Sequence, residues 1–140
     1  MFISHDSRDK KAIAEPLAYE LYTRSCKAWY DEFSLSIGHN LTTTILHGIE
    51  TCEVCVLVVT PNLLGNVSWA KWESDIVLKK MSEGKKLLLP LWYGVNSEEV
   101  IRFNSQLARV VALDWAKGVD VIAKEIGNKV HDMYSSRDKP

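Results

Sequence analysis

The segment Val54-Cys55-Val56-Leu57-Val58-Val59 decides the fold of this chain. All of its residues are apolar and most are β-branched, which is typical of a strand buried on both faces of a parallel sheet. Parallel strands cannot be joined by tight turns, so each is followed by a crossover segment, usually a helix. The sequence on either side of this strand is therefore expected to alternate between helices and further strands.

Amphipathic stretches and short apolar runs flank the strand. Before it, Leu41, Ile45 and Ile49 recur at helical spacing, and Asn40 is the predicted N-cap. After it, residues 60–62 form a turn that leads to a predicted helix over 68–81. The other predicted elements are a very short first strand at Phe2 and Ile3, a helix over 9–24 that Pro16 kinks or restarts, strands over 27–31, 86–92 and 110–113, a loop over 32–40, and a closing helix over 119–133.

This order of elements predicts a flavodoxin-like three-layer α/β sandwich. Helices are expected to cover both faces of a five-stranded parallel sheet. Pro90 has no N–H to donate, so it should confine the last part of its strand to a sheet edge or a strand end. We predict one domain over 1–134, followed by a polar tail over 135–140, with no second domain and no internal repeat.

Length and composition indicate one globular domain and argue against several functions. The 140 residues are 46% hydrophobic and 25% charged, which are ordinary values. A net charge of −1 without a concentrated basic face argues against nucleic acid as a partner. No apolar run is long enough to span a bilayer, and the first residues lack a signal-peptide pattern. With only three cysteines, the chain is expected to be cytoplasmic, with no membrane partner.

Several motifs with known chemistry are absent or poorly placed. Cys52 and Cys55 have C-x-x-C spacing, but they enter a strand, whereas a redox thiol needs a helix N-terminus. The four histidines have no ligand spacing, so no metal site is predicted. The chain has neither a Walker loop nor G-x-G-x-x-G. A phospho-acceptor domain of this architecture would need an acid at the end of the third strand, where Thr60 stands instead.

Four motifs follow one another and cover nearly the whole chain. They are Phe2-Ile3-Ser4-His5, Trp29-Tyr30-Asp31-Glu32 running into Leu35-x-x-Gly38, Trp69-Ala70-Lys71-Trp72-Glu73, and Leu89-Pro90-Leu91-Trp92. In this order they resemble the Toll/interleukin-1 receptor (TIR) domain family, and most closely its bacterial and archaeal branch. The third motif has the W-x-x-x-E pattern of enzymatic members.

The chain also departs from that family's usual pattern at two points. Only Met1 precedes the first motif, which leaves open an excised domain of a longer protein or a short natural form. Ser36 and Ile37 stand where many prokaryotic relatives carry a basic residue before the loop glycine. A phosphate contact from this loop is therefore not predicted.

The resemblance implies an enzyme that releases nicotinamide from NAD⁺, with Glu73 as its catalytic residue. NAD⁺ is then the substrate, and no cofactor is implied. The resemblance also implies self-association of TIR domains through the 32–40 loop, activation by assembly, and a setting in prokaryotic defence, signalling or virulence. The product is left open between ADP-ribose and a cyclic ADP-ribose.

Glu73 also has a physical basis in the sequence. On a continuous helix Trp69 and Glu73 share a face, which Ile76 and Val77 continue. A carboxylate in an apolar and aromatic stripe is costly unless it is paired, protonated or held for function. The alternative is that Glu73 lies at the edge of the stripe and points to water, with Lys71 or Lys80 as an ion-pair partner.

Six further residues are predicted to contact the substrate: Trp69, Trp92, Ser4, His5, Asp31 and Phe33. Trp92 ends a strand at the carboxyl edge, where open parallel sheets bind ligands. Trp69 and Trp92 are predicted to stack on nicotinamide or adenine, with core packing as the alternative. Ser4 and His5 are predicted to leave the first strand at the same edge and to contact phosphate or ribose. Asp31 and Phe33 belong to the adjoining loop.

Two other functions remain open on the sequence alone. One is a non-enzymatic module that works by self-association. Adaptor TIR domains generally lack the W-x-x-x-E glutamate, so the presence of Glu73 favours the enzyme. The other is an inactive receptor-like domain that binds a nucleotide without cleaving it.

Overall fold

A computed structural model describes residues 1–35, 40–65 and 73–137 of the chain. The strands are β1 (Phe2–Asp6), β2 (Ser34–Leu35), β3 (Val54–Val59), β4 (Leu87–Trp92) and β5 (Leu113–Asp114). The helices are α1 (Glu15–Thr23), α2 (Leu41–Thr51), α3 (Pro61–Leu64), α4 (Ser74–Glu83), α5 (Ser97–Phe103), α6 (Ser105–Arg109) and α7 (Val119–Arg137).

The strands form a parallel five-stranded sheet in the order β2-β1-β3-β4-β5. β3 lies at its centre, with Phe2 of β1 opposite Cys55 and Leu87 of β4 opposite Val54. Every residue of β3 is buried, as its unbroken apolar run predicts. The flavodoxin-like α/β architecture predicted from the sequence is confirmed.

Two apolar layers cover the sheet, and successive residues of a strand alternate between them. On the side named here the α4 face, Phe2, Leu57 and Val59 pack with α2, α4 and α5. On the opposite side, named the α1 face, Ile3 and Val56 pack with α1 and α7. This alternation determines which polar side chains of a strand can meet one another.

Helix α2 lies on the α4 face as its sequence predicts. The side chain of Asn40 caps it by accepting a hydrogen bond from the Thr43 N–H at 3.0 Å. Ile45 is fully buried within the α4-face cluster. A Cβ atom on Gly48 would lie 2.5 Å from the Phe2 ring, so only glycine lets the helix approach β1 this closely.

The segment after β1 confirms that the first predicted helix restarts near its proline. A 3₁₀ turn over Ser7–Asp9 is followed by a π-helical stretch over Lys10–Ala14. The α-helix proper begins at Glu15, so Pro16 stands in the first turn. Because the N–H groups of a first turn have no helical partner, proline is tolerated there.

The predicted strand bounds are wrong at both edges of the sheet. Residues 27–31 do not form β2, because only Trp29 bridges to β1, and the regular pairing comes later, at Ser34–Leu35. At the other edge β5 is Leu113–Asp114 rather than 110–113. Edge strands pair on one side only, so their bounds depend on the neighbouring strand more than on local pattern.

Several other elements differ from the sequence prediction. β1 spans five residues rather than two. Pro90 lies inside β4, which is not an edge strand. β5 pairs with β4 only at Leu91 and Trp92, so the pairing begins just after the proline. Helices α5 and α6 were not predicted, and α7 extends to Arg137, into the predicted tail. None of the described helices is both long and apolar enough to cross a membrane.

Candidate functional site

The polar side chains at the carboxyl ends of β1 and β3 form hydrogen bonds and ion pairs with neighbouring residues. Arg8 binds the Asp6 carboxylate through two nitrogens, with Nε–Oδ1 at 2.9 Å and Nη2–Oδ2 at 3.0 Å. Its Nη2 also donates to the backbone carbonyl of Asn62 at 3.1 Å. This arrangement ties the end of β1 to the first turn of α3, and the Asp6 carboxylate raises the pKa of Arg8.

Asp9 is a second structural acid at this edge. Its buried carboxylate accepts a hydrogen bond from Thr60 Oγ1 at 2.5 Å and another from Asn62 Nδ2 at 2.8 Å. Thr60 Oγ1 also accepts from the Leu63 N–H at 3.2 Å and so caps α3. Because these groups bond one another, they are structural rather than substrate-binding.

Glu73 lies at the same edge of the sheet, but its side chain is exposed, unlike those of Asp6 and Asp9. It is exposed and occupies the N-cap position of α4, and its side chain makes no capping hydrogen bond. Its backbone N–H donates to Thr42 Oγ1, on the first turn of α2, at 2.8 Å. Across residues 1–35, 40–65 and 73–137 no cation, Lys80 included, lies within ion-pair distance of its carboxylate. The backbone is held while the carboxylate is left accessible.

The predicted helix over 68–81 is wrong at Glu73. The residue has φ −108° and ψ 80°, and the helix begins at Ser74. The Thr42 hydroxyl takes the Glu73 N–H, which a continuous helix would use internally. Trp69, which was predicted to share a helical face with Glu73, lies outside the described residues. Within α4 the predicted stripe divides, because Val77 is fully buried whereas Ile76 is 44% exposed.

Trp92 lies at the carboxyl end of β4, as predicted. Its half-buried indole packs against the α4-face cluster, so part of its surface serves the core. Its Nε1–H is buried and has no hydrogen-bond partner within residues 1–35, 40–65 and 73–137. A buried donor without a hydrogen bond costs about 1–3 kcal/mol. A ligand that places an acceptor at this position would therefore be favoured.

Ser4 is also on the α4 face, but not where the sequence predicts it. β1 continues to Asp6, so Ser4 does not leave the strand. It is fully buried opposite Leu57. Its Oγ, like the indole nitrogen of Trp92, has no hydrogen-bond partner among the residues that the structure describes. A contact with phosphate or ribose would need this buried hydroxyl to become accessible.

His5 faces the other way. The β1 alternation directs it to the α1 face, where its ring centroid lies 6.5 Å from that of Tyr30. It is fully buried, with Nδ1 at 3.0 Å from the Ile3 carbonyl oxygen and Nε2 at 2.7 Å from Ser34 Oγ. Burial lowers its pKa. The prediction that His5 leaves the strand at the open edge is wrong.

Asp31 and Phe33 belong to a 3₁₀ turn rather than to an open loop. Asp31 is exposed and forms an ion pair with Lys10, the first residue of the π-helical stretch before α1. Phe33 is buried, and its ring centroid lies 4.5 Å from that of Phe2. The structure thus places Glu73, Trp92 and Ser4 on the α4 face, and it separates His5 and Asp31 from them.

An open groove of about 320 Å³ lies at the opposite edge of the sheet. It is lined by Trp29, Phe33, Thr51 and Cys52, near the amino end of β1 and the carboxyl end of α2. Glu73 contacts the other end of α2, an 11-residue helix about 16 Å long. The groove is therefore separate from the Glu73 region.

Cys52 follows helix α2, and Cys55 lies within β3. Cys52 and Cys55 are free thiols, and burial raises the pKa of Cys55 far above its ordinary value. A buried neutral thiol is a poor nucleophile. Within the described part of the chain no three histidine, cysteine or acidic side chains are grouped closely enough to hold a metal ion.

Sequence reasoning missed two hydroxyl residues that bond predicted site residues, Thr42 to Glu73 and Ser34 to His5. Thr42 lies at i, i+3 and i+7 with Ile45 and Ile49, so a buried hydroxyl within an apolar helical stripe was the available signal. Ser34 gave no comparable signal, because its partner His5 is distant in sequence.

A family model described as TIR domain matches residues 1–126. The chain belongs to the TIR domain family. The TIR domains of the activated Roq1 resistosome superpose with a TM-score of 0.67 at 14% identity, covering 92% of this chain and 97% of that one. The TIR domain of the Toll-related receptor TRR-2 from Hydra magnipapillata gives 0.57 at 18% identity, covering 95% and 96%. These structural likenesses support the fold.

Sequence relatives at higher identity are named for reactions of NAD⁺ or for cyclic ADP-ribose synthesis. The NAD(+) hydrolase TcpA of Theionarchaea archaeon (strain DG-70-1) is 36% identical over 126 residues, which are 90% of this chain and 38% of that protein. The 2′ cyclic ADP-D-ribose synthase BtTIR of Bacteroides thetaiotaomicron is 32% identical over 128 residues, 91% and 44% of the two chains. AbTIR of Acinetobacter baumannii, also named a 2′ cyclic ADP-D-ribose synthase, is 31% identical over 137 residues, 98% and 49%. The chain thus spans less than half of each of these relatives.

Proposed function

We propose that this chain cleaves the bond between nicotinamide and ribose in NAD⁺, with Glu73 as its catalytic residue. The observation that carries the proposal is the state of Glu73. Its carboxylate is exposed and has no ion-pair partner among the described residues, whereas its backbone is fixed through Thr42. Surface acids without a role are commonly left mobile or paired with lysine, so a backbone-fixed, unpaired acid at a ligand-binding edge supports catalysis.

One carboxylate suffices for this reaction because of its leaving group. Ordinary glycosidases need an acid to protonate an alkoxide as well as a second carboxylate at the anomeric carbon. In NAD⁺ the pyridinium nitrogen carries the positive charge, so the C1′–N bond breaks with its electron pair moving to nitrogen, and nicotinamide leaves neutral. The remaining task is to hold the ribose hydroxyls and stabilise positive charge at C1′, which an ionised Glu73 can do.

Trp92 is proposed to provide the flat surface for the substrate. Its indole reaches the carboxyl end of the sheet on the same face as α4, and its Nε1–H has no partner. Stacking on nicotinamide or adenine would use the ring face, and a substrate acceptor would satisfy the N–H. Trp69 is proposed for the same role. Ser4, Asp31 and Phe33 remain weaker proposals, because two are buried and Asp31 is paired with Lys10.

The relatives support the substrate and leave the product open. Their printed names include both NAD(+) hydrolase and 2′ cyclic ADP-D-ribose synthase. Capture of C1′ by water, with loss of a proton, gives ADP-ribose. Capture by a hydroxyl of the same nucleotide gives a cyclic product. We propose NAD⁺ as substrate, with no cofactor, in a cytoplasmic protein.

The test is release of nicotinamide from NAD⁺ at high protein concentration, with the nucleotide products separated by chromatography. Glu73→Gln keeps the size of the side chain and is expected to lower kcat by at least about 100-fold. Asp75→Asn is a matched control, since it removes another exposed acid in the first turn of the same helix. It should retain activity within about twofold. Equal rates for wild type and Glu73→Gln would refute the role of Glu73.

Self-association through the 32–40 loop and neighbouring helices is proposed as the accompanying interaction, and residues 36–39 of that loop lie outside the described residues. Tyr19 and Tyr22 lie one turn apart on α1 and are 66% and 73% exposed, an apolar surface that suits contact with another copy. Specific activity should then rise with protein concentration. A chain that assembles but never releases nicotinamide would instead be the non-enzymatic interaction module.

A further inference from the structure

His5 is a buried polar residue whose two nitrogens are both engaged. The Ile3 carbonyl oxygen can only accept a hydrogen bond, so Nδ1 must carry the proton. Burial lowers the pKa of His5 and so favours the neutral imidazole. In that form Nε2 is an acceptor, and the hydroxyl of Ser34 donates to it at 2.7 Å.

The Ser34–His5 pair resembles a nucleophile with its base, but its burial argues against that role. A general base must reach the proton it moves and later return it to a leaving group. His5 has no exposed surface, and it lies on the α1 face, across the sheet from Glu73 and Trp92. The pair therefore has a structural role, as a link between β1 and β2, and not a catalytic one.

That connection anchors a weakly held strand. β2 is two residues long and pairs with β1 only at His5–Ser34 and Asp6–Leu35. Such a short strand has few backbone bonds, so a side-chain bond is a large part of its attachment. The chain leads from β2 to Asn40, the cap of α2, and to Thr42, whose hydroxyl holds the Glu73 N–H.

We propose that His5 is a positioning residue for Glu73, acting through Ser34 and the start of α2. This inference rests on the proposed function. β2 is fastened to β1 by the Ser34–His5 bond, and its next residue, Leu35, is buried in the same cluster as Leu41 of α2. The first turn of α2 holds Glu73 through the Thr42–Glu73 bond. Loosening β2 shifts the start of α2 through this packing, and a small displacement of a catalytic group lowers the rate without changing the contacts that bind the substrate.

The test uses Ser34→Ala, with Ser34→Thr as the conservative variant that restores a hydroxyl. Ser34→Ala is expected to lower kcat for nicotinamide release by about three- to ten-fold, with KM within about twofold of wild type. Ser34→Thr should recover most of the rate. A wild-type kcat in Ser34→Ala would overturn this inference, whereas inactive wild-type protein would overturn the proposed function itself.

A double-mutant cycle separates positioning from general loss of structure. Thr42→Val removes the hydroxyl that holds Glu73, and Thr43→Val is its matched control on the exposed side of the same turn. If Ser34 acts through Thr42, the double variant Ser34→Ala/Thr42→Val should be no slower than Thr42→Val alone, within about twofold. Multiplying effects would contradict the proposed path.

Nitrogen NMR of the His5 ring provides a readout that does not depend on activity. Wild-type protein should show a neutral ring protonated at Nδ1. Ser34→Ala should move the Nε2 resonance, because its donor is lost, and Ser34→Thr should move it back. An unchanged Nε2 resonance in Ser34→Ala would show that the Ser34 bond is absent in solution, and the inference would fall.

Discussion

The polar groups on the two faces of the sheet differ in whether they have hydrogen-bond partners. On the α1 face His5 has a partner for each ring nitrogen, and Asp31 and Lys10 are paired nearby. On the α4 face Ser4 Oγ and Trp92 Nε1 have none among the described residues. The acids at the carboxyl edge differ in the same way, because Asp9 accepts two hydrogen bonds, whereas Glu73 has no ion-pair partner in the part of the chain that the structure describes.

This difference separates structure from function within one fold. A buried polar group without a partner costs about 1–3 kcal/mol, so it is retained where something other than stability requires it. Groups that are fully bonded hold their element in place but have no capacity left for a ligand. The α1 face is therefore the supporting side of the sheet, and the α4 face is the side with unused bonding capacity.

The two acids should respond most differently to mutation. Asp9→Ala leaves the Thr60 hydroxyl and the Asn62 amide without their acceptor, so the free energy of unfolding should fall by about 2–4 kcal/mol. Glu73→Ala removes an exposed, unpaired side chain and should change it by less than about 0.5 kcal/mol. Urea denaturation of both variants measures this contrast, and equal losses would break the comparison.

Ser4, which is buried, and Ser34, which is partly buried, sharpen the same comparison. Ser34→Ala leaves His5 Nε2 without its donor and should cost about 1–2 kcal/mol in unfolding free energy. Ser4→Ala removes a hydroxyl that has no partner, so it should be neutral or slightly stabilising. Thermal and urea unfolding of the pair are compared with wild type. A clear loss of stability in Ser4→Ala would reveal a bond to its hydroxyl in solution.

A smaller effect is expected in the pH dependence of stability. Burial lowers the folded-state pKa of His5 below its ordinary 6.5, while Asp9 and Asp31 oppose and Lys10 reinforces the shift. The unfolded chain then binds the proton first. Stability from this group is complete above about pH 6.5 and falls as pH drops toward the folded-state pKa, by at most about 1.4 kcal/mol per pH unit. His5→Gln should flatten that slope in denaturation curves, and an unchanged slope would assign it to other groups.

Trp92 should show the smallest change in stability and a selective change in binding. Trp92→Phe keeps an aromatic ring but removes the unpartnered N–H. The free energy of unfolding should change by less than about 1 kcal/mol, because the lost packing is offset by removal of that donor. KM for NAD⁺ should rise more than kcat falls. Unchanged kinetic constants would limit Trp92 to core packing.

The central elements of this fold could be predicted because their signals are local. The β-branched run of β3 and the helical spacing of α2 are visible within a few residues. The start of α4 is not visible in the sequence, since the Thr42 hydroxyl that accepts the Glu73 N–H is distant in sequence. The sequence pattern predicts a two-residue β1 and therefore places His5 at the open edge, whereas the five-residue strand buries it. Hydrogen bonds between residues that are distant in sequence produce no periodic pattern from which they could be predicted.

The two outermost strands, β2 and β5, are each only two residues long. An exposed strand edge offers a row of unpaired N–H and C=O groups on which another chain can form a β-ladder, and long edges promote aggregation. Here the described sheet presents very little such edge on either side. Copies of this domain can therefore be brought to high local concentration with little tendency to polymerise through their backbones, so side chains rather than strand pairing would decide how they meet.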